Sequence, residues 1–166
     1  MSEPGNGAAG DAVAAAANQP RFGIQRIYLK DLSFESPSSP EIFAENWQPK
    51  AHLDLNTRTE QCGPDRYEVV LTVTLKAENA AGKSGYIVEV QQAGVFEIAN
   101  LNREQLAQTL GTLCPNILFP YARESIDSLI VRGTFAPVML APVNFDALYA
   151  EAQKRRVDVP ASNQTH

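Results

Sequence analysis

One change of period constrains this chain more than any other feature. In four stretches between residues 22 and 99 apolar side chains recur at every second position, and from Asn102 onward they recur at helical spacing. Strands written first and helices after them describe an α+β domain, with a four-stranded antiparallel sheet followed by a long kinked helix and a shorter C-terminal helix. The stretch FGIQRIYLKDLSFE (22–35) puts Ile24, Tyr28, Leu32 and Phe34 on one side and Gln25, Asp31, Ser33 and Glu35 on the other. Ile27 and Leu29 are left on the polar side, which points to a bulge or a partner. A Pro-rich connector carrying Phe43 and Trp47 leads to AHLDLN, where Ala51, Leu53 and Leu55 alternate with His52, Asp54 and Asn56 in a short half-buried strand. Next, DRYEVVLTVTLKAE sets Tyr67, Val69, Leu71, Val73 and Leu75 against Glu68, Thr72, Thr74 and Lys76. The turn NAAGKS hands over to GYIVEVQQAGVFEIA, where Tyr86, Val88 and Val90 oppose Ile87, Glu89 and Gln91.

Asn102 is the expected cap of the first helix, with Gln105 three residues on to reciprocate and Leu106, Leu110 and Leu113 at helical spacing. Cys114, Pro115 and Pro120 interrupt the ladder and predict a hinge, because proline lacks the N–H that the preceding turn needs. The helix stops at Gly133, and Asn144 caps the last one, whose Lys154, Arg155 and Arg156 suit the negative end of its dipole. Ile117, Leu118, Phe119, Tyr121, Ile126, Leu129, Ile130 and Val131 run almost all the way round the long helix. One sheet cannot cover every side of such a helix, so a second subunit is expected to cover the remainder.

Composition narrows the setting. A chain of 166 residues with 44% hydrophobic content suits one domain with a real core. With 19 acids against 14 Lys and Arg, the net charge of −5 repels nucleic acid and anionic membranes. The first twenty residues, rich in alanine and glycine, have neither a basic start nor a leucine-rich stretch, and read as a disordered tail rather than a signal peptide. The same holds for 157–166, which leaves one domain over 21–156. No run reaches the roughly 20 apolar residues that span a bilayer, and Cys62 and Cys114 are expected as free thiols in a reducing compartment. The expectation is a cytoplasmic protein.

Seven segments, occurring in order between Ile24 and Ala150, carry a family likeness: IQRIYLKDLSFE, FAENWQP, YEVVLTVTL, EVQQAGVFEI, CPNILFPYARE, SIDSLIVRGTF and LAPVNFDALY. In these the chain resembles the SecB family of bacterial protein-export chaperones. The resemblance implies a homotetramer, a dimer of dimers with long helices between sheets, that holds unfolded secretory preproteins without ATP or any cofactor and hands them to the SecA motor. It implies that Asp31, Glu35, Ile87 and Glu89 dock SecA. Phe43, Trp47, Leu53, Leu55 and Tyr149 would line the client groove. Independently of the resemblance, the over-apolar helix and the inward strand face put Leu118, Ile126, Val88 and Val90 at the expected subunit contacts. The resemblance assigns the Ala-rich leader no role.

Blander readings stand beside these. A lone tryptophan usually plugs a core, exposed strand acids are usually solvated, and Leu53 and Leu55 could be ordinary core. His52 and His166 have no metal-ligand spacing around them, so no metal site is expected. GxSxG, GxGxxG and P-loop motifs are missing, and the GKS at 82–84 lacks the upstream glycine and joins two strands. The chain is therefore not expected to be an enzyme. A SecB-like chaperone of a toxin–antitoxin system is the alternative within the class, and a small-molecule carrier or enzyme using the same apolar groove is the alternative outside it.

Overall fold

The computed structural model describes residues 17–157. The expected tails over 1–20 and 157–166 therefore fall almost wholly outside the described residues. Of the first, residues 17–20 are described, and Asn100 Nδ2 donates to the carbonyls of Ala17 and Gln19 at 2.8 Å.

The period-two region forms four strands, β1 (Arg21–Glu35), β2 (Lys50–Gly63), β3 (Arg66–Glu78) and β4 (Ser84–Ala99). They pair antiparallel in the order β1-β4-β3-β2, so β1 and β2 are the edges. β3 and β4 read as expected: Val69, Leu71, Val73 and Leu75 are buried beside Tyr86, Val88, Val90 and Phe96 on one inner face.

β1 departs from strict alternation, and the reason is local. Its register against β4 slips once between Ile24 and Arg26 and again between Leu29 and Asp31, leaving Gln25 and Lys30 as extra residues. Each extra residue turns the following side chains to the opposite face. Ile27 pairs with Gly94 and Leu29 with Gln92, so both lie on the inner face with Phe22, Ile24, Leu32 and Phe34. Tyr28, expected among those apolar residues, instead pairs with Ala93 on the outer face. Gln92, a buried polar side chain, donates from Nε2 to the Tyr28 carbonyl at 2.9 Å, next to the second bulge.

β2 is longer than the six residues AHLDLN. It continues to Gly63 with Cys62 still in the strand, because an edge strand can be polar on both sides and leave no alternation to read. The connector before it contains a 3₁₀ turn at Glu41–Ala44, whose Ile42 is buried.

The helical region holds α1 (Arg103–Gly111), α2 (Leu113–Arg132) and α3 (Phe145–Val157). Asn102 and Gln105 form the expected capping box on α1, and Asn144 Oδ1 accepts from Ala147 N at 3.0 Å at the start of α3. The break between α1 and α2 falls at Thr112, two residues before Cys114, where the backbone leaves helical geometry at φ −125° and ψ −65°. Pro120 lies inside α2.

α2 lies mainly on β4 and β3. Cys114, Leu118, Ala122, Ile126 and Ile130, four residues apart, form a fully buried stripe against the sheet, and Phe119 meets Phe145 of α3 edge-on at 6.0 Å. The chain covers only these sides: Leu113, Tyr121 and Val131 remain exposed. The expectation of Leu118, Ile126, Val88 and Val90 at subunit contacts is corrected here. All four are 0% exposed within the single chain, so no surface is left for a partner, and they are core. The side of the helix that needs covering is the one carrying Tyr121 and Val131.

Candidate functional site

Because α2 sits on β4 and β3, the inner side of the edge strand β2 is open. Leu53 and Leu55 pair with Leu75 and Val73, which puts them on the inner face. Opposite them stand Leu110 of α1 and Phe145, Leu148 and Tyr149 of α3, enclosing a groove of about 740 Å³. Thr57, Thr59, Gln153 and Arg156 add polar positions along it. Tyr149 can approach because Gly111 closes α1 without a side chain: a Cβ there would lie 2.5 Å from the Tyr149 ring. The tyrosine hydroxyl accepts from Gln153 Nε2 at 2.7 Å, which fixes the ring as a wall. A trough with apolar walls and an unpaired strand edge can hold an extended peptide by side-chain burial and main-chain hydrogen bonds.

Three of the five residues expected in a groove, Leu53, Leu55 and Tyr149, line this one. Phe43 and Trp47 do not. They join Phe135 and Tyr86 in a separate aromatic cluster, where both rings lie 5.4 Å from Phe135, and Trp47 rests on Gly85. Phe43 is half exposed there. Leu110, Phe145, Leu148 and the β2 threonines were missed as groove residues. Leu110 carried a helical-spacing signal, which reads as core, and Thr57 and Thr59 carried none.

The outer face of the sheet has a different chemistry. Glu35 pairs with Ile87 and Ser33 with Glu89, and Asp31 pairs with Gln91 in the next row. Asp31, Glu35, Ile87 and Glu89 therefore share one face of two neighbouring strands, with the isoleucine beside the acids. Asp31 and Glu35 are exposed, and Glu89 accepts from Thr74 Oγ1 at 3.1 Å.

Further along that face Tyr28 reaches across β4 and donates its hydroxyl to Glu68 Oε1, while Lys30 Nζ bonds both Glu68 oxygens at 2.7 and 2.8 Å. Lys30 first, then Tyr28, holds the Glu68 carboxyl below the usual carboxylate range. Burial, then the bond to Glu68, pushes the Tyr28 phenol up to about 12. Neither group is free for proton transfer near neutral pH.

Cys62 is exposed, and Cys114 is buried, with its thiol pushed up to about 12 by burial alone. Such a thiol is a poor nucleophile. Among the described residues no three His, Cys, Asp or Glu side chains come together as a metal site, and no helix is long and apolar enough to cross a membrane.

A four-stranded antiparallel sheet covered by a long broken helix, with a returning helix that leaves a groove on the edge strand, is the SecB-like fold. A solved structure of a SecB-like chaperone from Mycobacterium tuberculosis, in complex with a peptide from an antitoxin, shares it at TM-score 0.59 and 20% identity, over 80% of this chain and 94% of that one. The family described as "Preprotein translocase subunit SecB" matches residues 15–156. "Protein-export protein SecB" of Hahella chejuensis is 59% identical over 86% of this chain and 89% of its own length. Its counterpart in Pseudomonas aeruginosa is 59% identical over 83% and 85%, and that of Marinobacter nauticus is 54% identical over 90% and 92%. The chain belongs to the SecB family of protein-export chaperones.

Proposed function

We infer that this chain is an ATP-independent holdase: it binds unfolded secretory preproteins, keeps them competent for export and delivers them to the SecA motor. The observation that carries this reading is the groove between β2 and the two helices α1 and α3, with Leu53 and Leu55 facing Leu110, Phe145, Leu148 and Tyr149 among polar neighbours, and open along a strand edge. Apolar area with adaptable main-chain contacts accepts many sequences, which a holdase requires. Clients bind at Leu53, Leu55 and Tyr149, and Phe43 and Trp47 serve as a second, aromatic contact. The outer-face group Asp31, Glu35, Ile87 and Glu89 docks a basic, partly apolar segment of SecA.

The Mycobacterium tuberculosis chaperone, seen with an antitoxin peptide, suggests the related role of guarding an antitoxin. Identity near 59% with protein-export relatives favours preproteins as clients.

One experiment tests both surfaces. The purified chain is expected to suppress aggregation of a refolding preprotein in proportion to its own amount, without ATP. Asp31→Lys with Glu89→Lys is expected to abolish SecA binding and leave that suppression intact. No suppression at any ratio would overturn the holdase reading, and unchanged SecA affinity in the double variant would move the docking site elsewhere.

A further inference from the structure

The connector between β1 and β2 carries the aromatic pair Phe43 and Trp47, and it is tied down by charge as well as by packing. Glu45 lies two residues from each of them, where the 3₁₀ turn ends. Both of its carboxylate oxygens are engaged by the turn between β3 and β4: Lys83 Nζ donates to Oε1 at 2.7 Å and Asn79 Nδ2 to Oε2 at 3.0 Å. Asn79 is itself fixed, since its Oδ1 accepts from the N–H groups of Ala81 and Lys83 at 3.0 and 2.9 Å.

At the other end of the connector Ser36 Oγ donates to the Gly85 carbonyl at 2.9 Å. Gly85 is also the floor on which Trp47 lies, and a Cβ there would come within 2.1 Å of the indole. The segment 79–85 thus holds the connector at two points, Ser36 and Glu45, and Trp47 follows the second of them by two residues to rest on Gly85.

We propose that Glu45, Asn79 and Lys83 form a latch that positions Trp47 and Phe43 over Gly85 and Phe135 for contact with an aromatic or bulky apolar side chain of an unfolded client. This rests on the holdase reading. The three are positioning residues, acting through the rings they place. An isolated surface ion pair contributes little, because two long side chains must be ordered to make it. Here the acceptor is gripped on both oxygens and one donor is already immobile in its turn, so most of that ordering cost falls on the lysine alone. The Lys83 and Glu45 side chains are 36% and 42% exposed, so salt reaches the latch and loosens it. A client then meets a less pre-organised wall and leaves sooner.

Trp47 is the single tryptophan of the chain, so its fluorescence reads the connector directly. The test uses the full chain with Glu45→Gln and Lys83→Met, and Lys83→Arg as the conservative control. In low salt the two neutral variants are expected to show red-shifted emission and stronger acrylamide quenching than the parent. Raising NaCl to about 0.5 M, where screening acts within about 4 Å, is expected to bring the parent to the same values and leave the variants unchanged. Lys83→Arg is expected to behave as the parent.

With reduced, carboxymethylated α-lactalbumin as the unfolded probe, the neutral variants are expected to bind roughly two- to fivefold more weakly. Quenching identical in parent and variants would overturn the latch. Quenching that rises while probe affinity stays constant would overturn its link to the client. A parent that does not bind the probe at all overturns the holdase reading, and the fluorescence arm distinguishes that failure from failure of the latch.

Discussion

Tyr28 shows how two extra residues can hide a side chain's role. Counting by twos from Ile24 places Tyr28, Leu32 and Phe34 on one face, and both ends of that count agree with the structure. The middle is inverted, because the bulge at Gln25 flips the phase and the bulge at Lys30 restores it. Ile27 and Leu29 were the visible symptom, apolar residues on a polar side; what a sequence does not display is where the extra residues sit. The bulges bring Tyr28 and Lys30 onto Glu68. Tyr28→Phe is expected to cost about 0.5–1.5 kcal/mol, the net value of one hydrogen bond, or somewhat more because the acceptor is charged. The Glu68 carboxyl is depressed in the folded state by Lys30, then Tyr28, with Arg58 adding to the field. Its contribution is therefore fully present above the ordinary glutamate range and is lost as pH falls through the lowered folded value. Denaturant titrations of the parent and Glu68→Gln at a series of pH values are expected to converge on the acid side and separate toward neutrality.

At the scale of elements, legibility followed coverage. β3 and β4, flanked on both sides and overlain by α2, had alternating apolar runs and were read nearly to the residue. β2 has one neighbour, so its second half satisfies no burial requirement and TRTEQC looks like a loop. The groove inherits this, since its β2 wall continues through Thr57 and Thr59 beyond the legible Leu53 and Leu55. Its opposite wall depends on a contact between two helices that no single-helix pattern records, the Tyr149 ring lying on Gly111. Gly111→Ala keeps a residue well suited to helix but forces that ring away, and is expected to weaken client binding more than it changes the denaturation midpoint. Leu53→Ser is expected to lower client affinity at a cost below about 1 kcal/mol, because Leu53 is already 38% exposed. Leu118→Ala, in the sealed stripe of α2, is expected to cost about 2–5 kcal/mol. Denaturant unfolding beside a client-binding isotherm separates the three.

For the whole molecule, the chain alone leaves Phe22, Ile24, Leu29 and Leu32 of β1 and Tyr121 and Val131 of α2 exposed. Apolar surface of that extent normally marks an interface. A homotetramer is the assembly proposed here, and light scattering at micromolar concentration is expected to give four times the chain mass. Tyr121→Asp or Leu29→Asp is expected to lower that mass while the circular dichroism spectrum is retained. Leu118→Asp is expected to unfold the chain instead, because it buries an unpaired charge. A tetramer unaffected by either exposed-site variant would move the interface to another surface.

The strand order β1-β4-β3-β2 also sets a schedule for the protein's own birth. β2, β3 and β4 follow one another as local hairpins, but Arg21 of β1 waits for Ala99, the last residue of the sheet. At about 5–20 residues per second, the first strand leaves the ribosome several seconds ahead of its only partner strand. Throughout that interval Phe22, Ile24, Ile27, Leu29, Leu32 and Phe34 are in water, on a segment with two unpaired edges. On the holdase reading proposed above, a chain that shields others' unfinished strands begins as a client of the same kind, and the first to need a holdase is the holdase itself.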